Sequence, residues 1–135
     1  PDRILLKNGQ LTPDEYEQVK EHAVIGDRLC AELNLLKPVR PIVRHHHERL
    51  DGSGYPDGLV GDAVPLLAQV MSVVDVFDAV TTPRPYKAAR SFEEACGILR
   101  DEVRRGWRRS DLVETFIALL TEHGMLSRSS DAVPA

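Results

Sequence analysis

The chain has 135 residues, 42% hydrophobic and 28% charged, the ordinary balance of one soluble globular domain long enough to bury a single core. Its formal net charge of −4 argues against a sequence-independent grip on long nucleic acid, which requires many phosphates to be neutralised, but leaves room for a small phosphorylated ligand. No apolar run approaches the roughly 20 residues of a membrane-spanning helix, so no membrane insertion is expected of this segment.

The chain opens at Pro1 rather than at a methionine, as a processed product or a fragment of something longer would. Thr12-Pro13-Asp14-Glu15 combines a capping box with proline in the first helical turn, and Tyr16, Val19, Ile25, Leu29 and Leu33 follow at helical spacing on one expected inward face. Pro38 and Pro41 open a shorter helix over Val39 to Glu48, which the turn-rich run Asp51-Gly52-Ser53-Gly54-Tyr55-Pro56-Asp57-Gly58 closes. Pro65 to Thr81 is nearly continuous in apolar residues and reads as a helix buried on most sides, ended by Pro83 and Pro85. Ser91 with Glu94 predicts another capped helix through Ala95, Ile98, Leu99 and Val103. Ser110 caps a last one through Leu112, Phe116, Leu119 and Leu120, which Gly124 stops. The expectation is an all-α bundle of about five helices and a flexible tail over residues 127–135, with Cys30 and Cys96 as small buried hydrophobes in a reducing cytoplasm.

The residues that break these patterns carry the chemistry. His22 falls on the expected inward face of the first long helix, where an imidazole is either a hydrogen-bonded core residue or a ligand. His45, His46 and His47 fan around the end of the second helix at about 100° per residue, so at most two can serve one site, and a solvated helix end is the alternative. Asp75 stands among Val70, Met71, Val73, Val74, Val76 and Phe77, with Asp78 one turn on. A carboxylate buried there needs a cap, a salt bridge to Arg84 or Arg90, or a metal. Together His22, the histidine run and Asp75 form a nitrogen and oxygen set suited to iron, manganese or zinc and without thiolates.

His46-His47-Glu48 followed by Asp51-Gly52-Ser53-Gly54-Tyr55-Pro56-Asp57-Gly58 resembles the HHExxDGxGYP signature of the HD-GYP family. Val74-Asp75-Val76-Phe77-Asp78-Ala79-Val80 is similar to its VADVFDAL helix, Arg84-Pro85-Tyr86-Lys87 to its RPYK segment, and Leu5-Leu6-Lys7 with Leu11-Thr12-Pro13-Asp14-Glu15 to its ILLKPGPLTPEE run. The resemblance covers roughly residues 2 to 120 and implies a helical bundle of the HD-domain type, with residues 1–126 as a partial HD-GYP domain.

What the resemblance implies is a phosphodiesterase that hydrolyses cyclic di-GMP to linear pGpG or GMP in the bacterial cytoplasm. His22, His46, His47 and Asp75 would ligate a cluster of two or three metal ions, commonly iron or manganese, and Arg84 and Lys87 would hold the substrate phosphates. The four ligands are expected to converge although they come from three helices. Gly54, Tyr55 and Pro56 lie in a loop stiffened by Tyr55 and Pro56, and a docking surface for GGDEF cyclases is the further implication. Gly52, Gly54 and Gly58 suit positive φ or close backbone approach in any tight loop.

Two departures matter. The family's namesake His-Asp pair and earlier metal ligands precede the segment similar to Pro1–Lys7, so this chain is expected to supply only part of the site, with a sensor or receiver domain attached upstream in the parent protein. Gly106-Trp107-Arg108-Arg109-Ser110 replaces a Gly-x-x-Phe-Asp-Pro cap. The alternatives to an enzyme are a non-catalytic module that binds a cyclic dinucleotide or a protein, and an interaction fragment with a vestigial site.

Overall fold

A computed structural model of the chain describes residues 2–5, 7, 9–84 and 87–124. The expected tail over 127–135, and Pro85 and Tyr86, lie outside the described residues. The elements are α1 (Asp2–Leu5), α2 (Pro13–Glu32), a 3-10 helix (Asn34–Val39), α3 (Arg40–His45), a second 3-10 helix (Gly61–Ala63), α4 (Leu66–Thr81), α5 (Phe92–Arg104) and α6 (Ser110–Glu122). The all-α expectation holds. Among the described residues the extended pairings are two isolated bridges, Asp51 with Val60 and Arg84 with Lys87. The chain forms two compact units, Pro1–Gln69 and Val70–Ala135.

In the first unit, α2 starts at the expected capping box: the Glu15 amide donates to Thr12 Oγ1 at 3.2 Å, and the Thr12 amide to Glu15 Oε2 at 2.8 Å. Lys7 also pairs with Glu15. The 3-10 helix reverses the chain so that α3 runs back along α2, with Arg40 and Arg44 opposite Asp27 and His46 and His47 opposite His22. The α2 face that α3 covers differs from the expected one. Ile25, Leu29 and Leu33 are 49%, 65% and 57% exposed, whereas Ala23 and Asp27 are buried. The physical reason is size. A Cβ on Gly26 would stand 2.8 Å from Val43 Cγ1, so α3 approaches where α2 presents small residues, a signal that an apolar pattern does not register.

Asp27 is the charged residue of this seam, 7% exposed. Arg40 Nε donates to its Oδ1 at 2.7 Å, and Arg44 Nη1 to its Oδ2 at 3.3 Å. Arg44 also grips both oxygens of Asp57, at 2.7 and 2.8 Å. The guanidinium of Arg40 beside it holds the Asp27 carboxyl below its ordinary value, and Arg44 does the same for Asp57.

The second unit has its own core of Val73, Leu99 and Val113, ringed by Val76, Phe77, Val103, Phe116 and Ile117. Phe77 meets Phe92 and Phe116 edge to face, with centroids 5.7 and 5.4 Å apart. The Ser91–Glu94 capping box opens α5 as expected. Arg108, half-buried, pairs with Glu102 and donates to the buried Ser72 hydroxyl, fixing the α5–α6 connection.

Four expectations need correction. The helix expected over Val39 to Glu48 is α only from Arg40 to His45, because the preceding residues with Pro38 adopt 3-10 geometry and His46 already caps the end. Helix α4 is not buried on most sides: Leu66, Leu67, Val70, Met71 and Val74 are exposed, since its second-unit part spends only the Ser72, Val73, Val76, Phe77 and Val80 side inward. Ser110 is the first residue of α6, and the cap position belongs to Arg109, whose guanidinium instead pairs with Asp111. Cys96 is buried, and burial pushes its thiol above the ordinary value, but Cys30 is only half-buried.

The Asp27 seam makes acid sensitivity testable. A carboxyl whose folded pKa is lowered contributes stability in full above its unfolded pKa, near 4, and loses it as pH falls through the folded value. Thermal unfolding followed between pH 7 and pH 3 should therefore show a shallower acid limb in Asp27→Asn than in the parent. Identical slopes would count against the seam.

Candidate metal centre

Because α3 ends at His45, the three consecutive histidines straddle a helix end and leave it in different directions. His46 and His47 turn toward His22 on α2. Their ring centroids stand 5.7 and 4.8 Å from that of His22 and 4.0 Å from each other. His22 Nε2 and His47 Nε2 are 3.0 Å apart, and one ring nitrogen from each of the three residues lies within 4.8 Å of the others. His22 is exposed rather than inward, because it flanks the Ala23–Gly26–Asp27 seam instead of lying in it.

Backbone carbonyls set the ring states. His22 Nδ1 faces the Val19 carbonyl, and His46 Nδ1 lies 2.8 Å from the Val43 carbonyl. A carbonyl oxygen can only accept, so each Nδ1 donates, and in the neutral ring that leaves Nε2 with the lone pair. That is the tautomer a metal requires, and an Nδ1–H bonded to a carbonyl is the usual support of a ligating imidazole. With a ring nitrogen of His47 beside them, the donor set suits a divalent transition ion with borderline ligand preference.

The loop after α3 covers one side of this cluster. The Tyr55 ring stacks on His47 at 4.9 Å and 24°, and its amide donates to the His47 carbonyl at 3.2 Å. Tyr16 meets Tyr55 edge to face, and Lys20 Nζ lies 4.8 Å above the Tyr16 ring. Gly52 and Gly58 have φ of +84° and +64°, and the Tyr55–Pro56 peptide is cis. Gly54 has another role: a Cβ there would stand 2.5 Å from Glu48 Cα and 2.6 Å from its carbonyl carbon.

His45 points the other way, into a group with Glu48 and Asp57 that could also hold an ion. The carboxylate oxygens there are already taken. Arg44 occupies both of Asp57, and the Asp57 and Leu59 amides donate to the two of Glu48, at 2.7 and 3.1 Å. This second group is an anchor for the loop.

Residues 1–108 match the family model described as HD domain. The chain belongs to the HD domain family. It is 48% identical over 101 residues to a cyclic di-GMP phosphodiesterase response regulator of Xanthomonas campestris, covering 73% of this chain and 27% of that protein. It is 47% identical over 97 residues to a cyclic di-GMP phosphodiesterase of Thermotoga maritima, covering 70% and 26%. A 3'3'-cGAMP-specific phosphodiesterase of Vibrio cholerae is 35% identical over 127 residues, covering 94% and 30%. The chain thus spans about a quarter to a third of the length of these relatives.

The other expected site residues of this HD domain lie in its second unit. Asp75, on α4, is half-buried and makes no hydrogen bond or ion pair among the described residues, so neither Arg84 nor Arg90 neutralises it there. Asp78 is exposed and accepts from Thr82 Oγ1 at 3.1 Å. Arg84 and Lys87 are exposed and exchange both backbone hydrogen bonds, at 2.9 and 3.0 Å, and neither side chain is paired among the described residues.

Reading the sequence missed Asp27 and Arg44, and the supporting roles of Gly26, Glu48 and Asp57. Two signals pointed to the first pair, an acid within the apolar pattern of α2 and arginines four apart on α3.

The cluster predicts metal uptake by this chain. Titration with Co2+ should give the visible absorption of nitrogen ligation, and His22→Ala or His46→Ala should each weaken binding at least about tenfold. His123→Ala, at the end of α6, should bind as the parent does. Equal affinity in all four proteins would exclude the three imidazoles as ligands.

Proposed function

We propose that this HD domain contributes to a metal-dependent phosphodiesterase that hydrolyses cyclic di-GMP to a linear dinucleotide or to GMP. The observation that carries the reading is the convergence of three imidazoles whose Nδ1 protons are held by backbone carbonyls or whose Nε2 meets a neighbouring Nε2. His22, His46, His47 and Asp75 are the proposed ligands of a cluster of two or three iron or manganese ions. Four ligands do not saturate two six-coordinate ions, so the remainder would come from outside this segment. Such ions supply an activated water and stabilise the charge that develops at phosphorus and on the leaving oxygen.

The chain's own residues do the rest of the work in this reading. The carbonyls of Val19 and Val43 orient the imidazoles of His22 and His46, and Tyr55 limits the movement of His47. Asp75, uncompensated among the described residues, brings a negative ligand. Arg84 offers a planar fork and Lys87 a point charge to phosphate oxygens, with their spacing fixed by the paired backbone bonds between them. The Gly54-Tyr55-Pro56 loop is the proposed docking surface for a GGDEF-domain protein, with a sensor or receiver domain governing the parent enzyme in the cytoplasm. The name of the Vibrio cholerae relative makes 3'3'-cGAMP the first alternative substrate to compare.

Steady-state hydrolysis of cyclic di-GMP by the parent protein, with metal analysis of each variant, tests the proposal. Asp75→Asn keeps the side chain's size and loses its charge, so metal content and kcat should fall together. Lys87→Ala should keep the metal and mainly raise KM, by about tenfold for a lost charge-assisted hydrogen bond of roughly 1.5 kcal/mol. Full activity of a metal-depleted Asp75→Asn protein would refute the mechanism. A metal-loaded parent that hydrolyses no cyclic dinucleotide would favour a binding module.

A further inference from the structure

Helix α5 ends in a turn that brings a tryptophan back against it. Gly106, at φ +77°, donates its amide to the Val103 carbonyl at 2.9 Å, and the Trp107 amide reaches the Glu102 carbonyl at 3.0 Å. This double closure is the glycine-dependent reversal of a helix end, and it carries the half-buried Trp107 alongside the last turns of α5. Arg105 Cζ lies over the indole, 5.0 Å from the ring centre. The Gly106–Ser110 run is also where the sequence departs from a Gly-x-x-Phe-Asp-Pro cap, so the family resemblance does not account for the indole.

Trp107, Arg90 and the α5 residues Glu94, Gly97 and Arg104 line an open pocket of about 550 Å³, within the range of small-ligand sites. Gly97 sits in mid-helix, where glycine is less stable than alanine. Nothing beyond its own stretch of helix comes within 4 Å of the place a Cβ would take, so packing does not require the missing side chain. What its absence leaves is room in the pocket.

The pocket carries both signs of charge without cancelling them. Asp101 is already held by Arg104 at 3.1 Å and by Arg105 at 2.8 Å, and Glu102 is held by Arg108. Arg90 donates its amide to the Val80 carbonyl at 3.0 Å, while its guanidinium pairs with nothing among the described residues. Glu94, one helical turn on, accepts the Ser91 amide on Oε2 and leaves Oε1 without a partner among them. Opposite charges that line one pocket and stay apart suit a ligand with acceptors for one and donors for the other.

Guanine has that pattern. Its O6 and N7 are adjacent acceptors, which an arginine fork takes bidentately, and its N1–H and N2–H2 are adjacent donors, which a carboxylate takes in the same way. Adenine alternates donor and acceptor and offers neither pair. Indoles and guanidinium planes are also surfaces on which bases stack. Arg104, exposed and bonded to Asp101 through one nitrogen, keeps donors for a phosphate.

We infer that this pocket is a guanine-nucleotide site, in which Arg90 and Glu94 read the base, Arg105 and Trp107 form the wall it stacks on, and Arg104 takes the phosphate. It shares no residue with the candidate metal centre, and the inference stands whether or not the parent protein is a phosphodiesterase.

Guanosine 5'-monophosphate titrated into this chain with metal chelated is the test, followed by calorimetry and by amide chemical shifts. The parent should bind it saturably, with shifts centred on residues 90–107, and adenosine 5'-monophosphate should bind about tenfold more weakly. Gly97→Leu should melt no lower than the parent, because leucine is the better helix former, yet bind at least about tenfold more weakly as its side chain fills the pocket. Arg90→Ala should also lose at least about tenfold. Glu94→Gln keeps the capping box but puts an amide where a carboxylate accepted two donors, so the preference for guanine over adenine should disappear.

Parental affinity in Gly97→Leu, equal affinity of the parent for the two nucleotides, or shifts centred on His22, His46 and His47 would each overturn the inference, as would no saturable binding. If Gly97→Leu does not fold, Arg90→Ala decides. No measurement here reads hydrolysis, so failure of the phosphodiesterase proposal would leave the result for this pocket unchanged.

Discussion

A carboxylate nearly removed from water has to be met by cations or hydrogen bonds, and the first unit is arranged around meeting two of them. Asp27 on α2 is met by Arg40 and Arg44 of α3, and Glu48 after α3 is met by two amides of the loop. Arg44 joins the two systems, because the same guanidinium that reaches Asp27 grips Asp57 in the loop. Removing one partner from such a network strands a buried charge, which costs far more than the pair contributes, so the network fixes geometry more than it adds stability. The seam at Gly26 and Val43 gives it the close approach it needs.

The histidine cluster is a consequence of that arrangement. Running α3 back along α2 places the end of α3 beside His22, and ending α3 at His45 lets His46 and His47 face one way and His45 the other. The two faces then divide the work. One gathers imidazole nitrogens, and the other spends its carboxylates on holding the loop. Carboxylates already held by a guanidinium and by loop amides serve as a structural device, whereas gathered imidazoles have capacity for an ion.

The second unit follows different physics. Its core is aliphatic and aromatic, with Val73, Leu99 and Val113 at the centre and Phe77 between two other phenylalanine rings. Against that background Asp75 stands out for having no partner among the described residues, and Arg84 and Lys87 for being fixed in backbone yet unpaired in side chain. The proposed phosphodiesterase role gives these three side chains a use, as a ligand and as phosphate contacts.

The chain's local code determined a good deal by itself. The Thr12–Glu15 and Ser91–Glu94 boxes placed the starts of α2 and α5, because capping is a bond between residues three apart and needs no tertiary partner. The run from His46 to Gly58 pointed to the candidate site through its resemblance to the HD-GYP signature, since its histidines and glycines taken alone suit a solvated helix end and a tight loop. Where the pattern misled, it did so for want of a neighbour: the buried side of α2 was set by the α3 residues that meet Ala23 and Gly26, not by its larger apolar residues. Which histidine joins which group, and that Glu48 and Arg44 hold the loop, depended on contacts between residues 9 to 25 positions apart. Only the tertiary structure could decide those, because a side chain's role is set by what folding places against it.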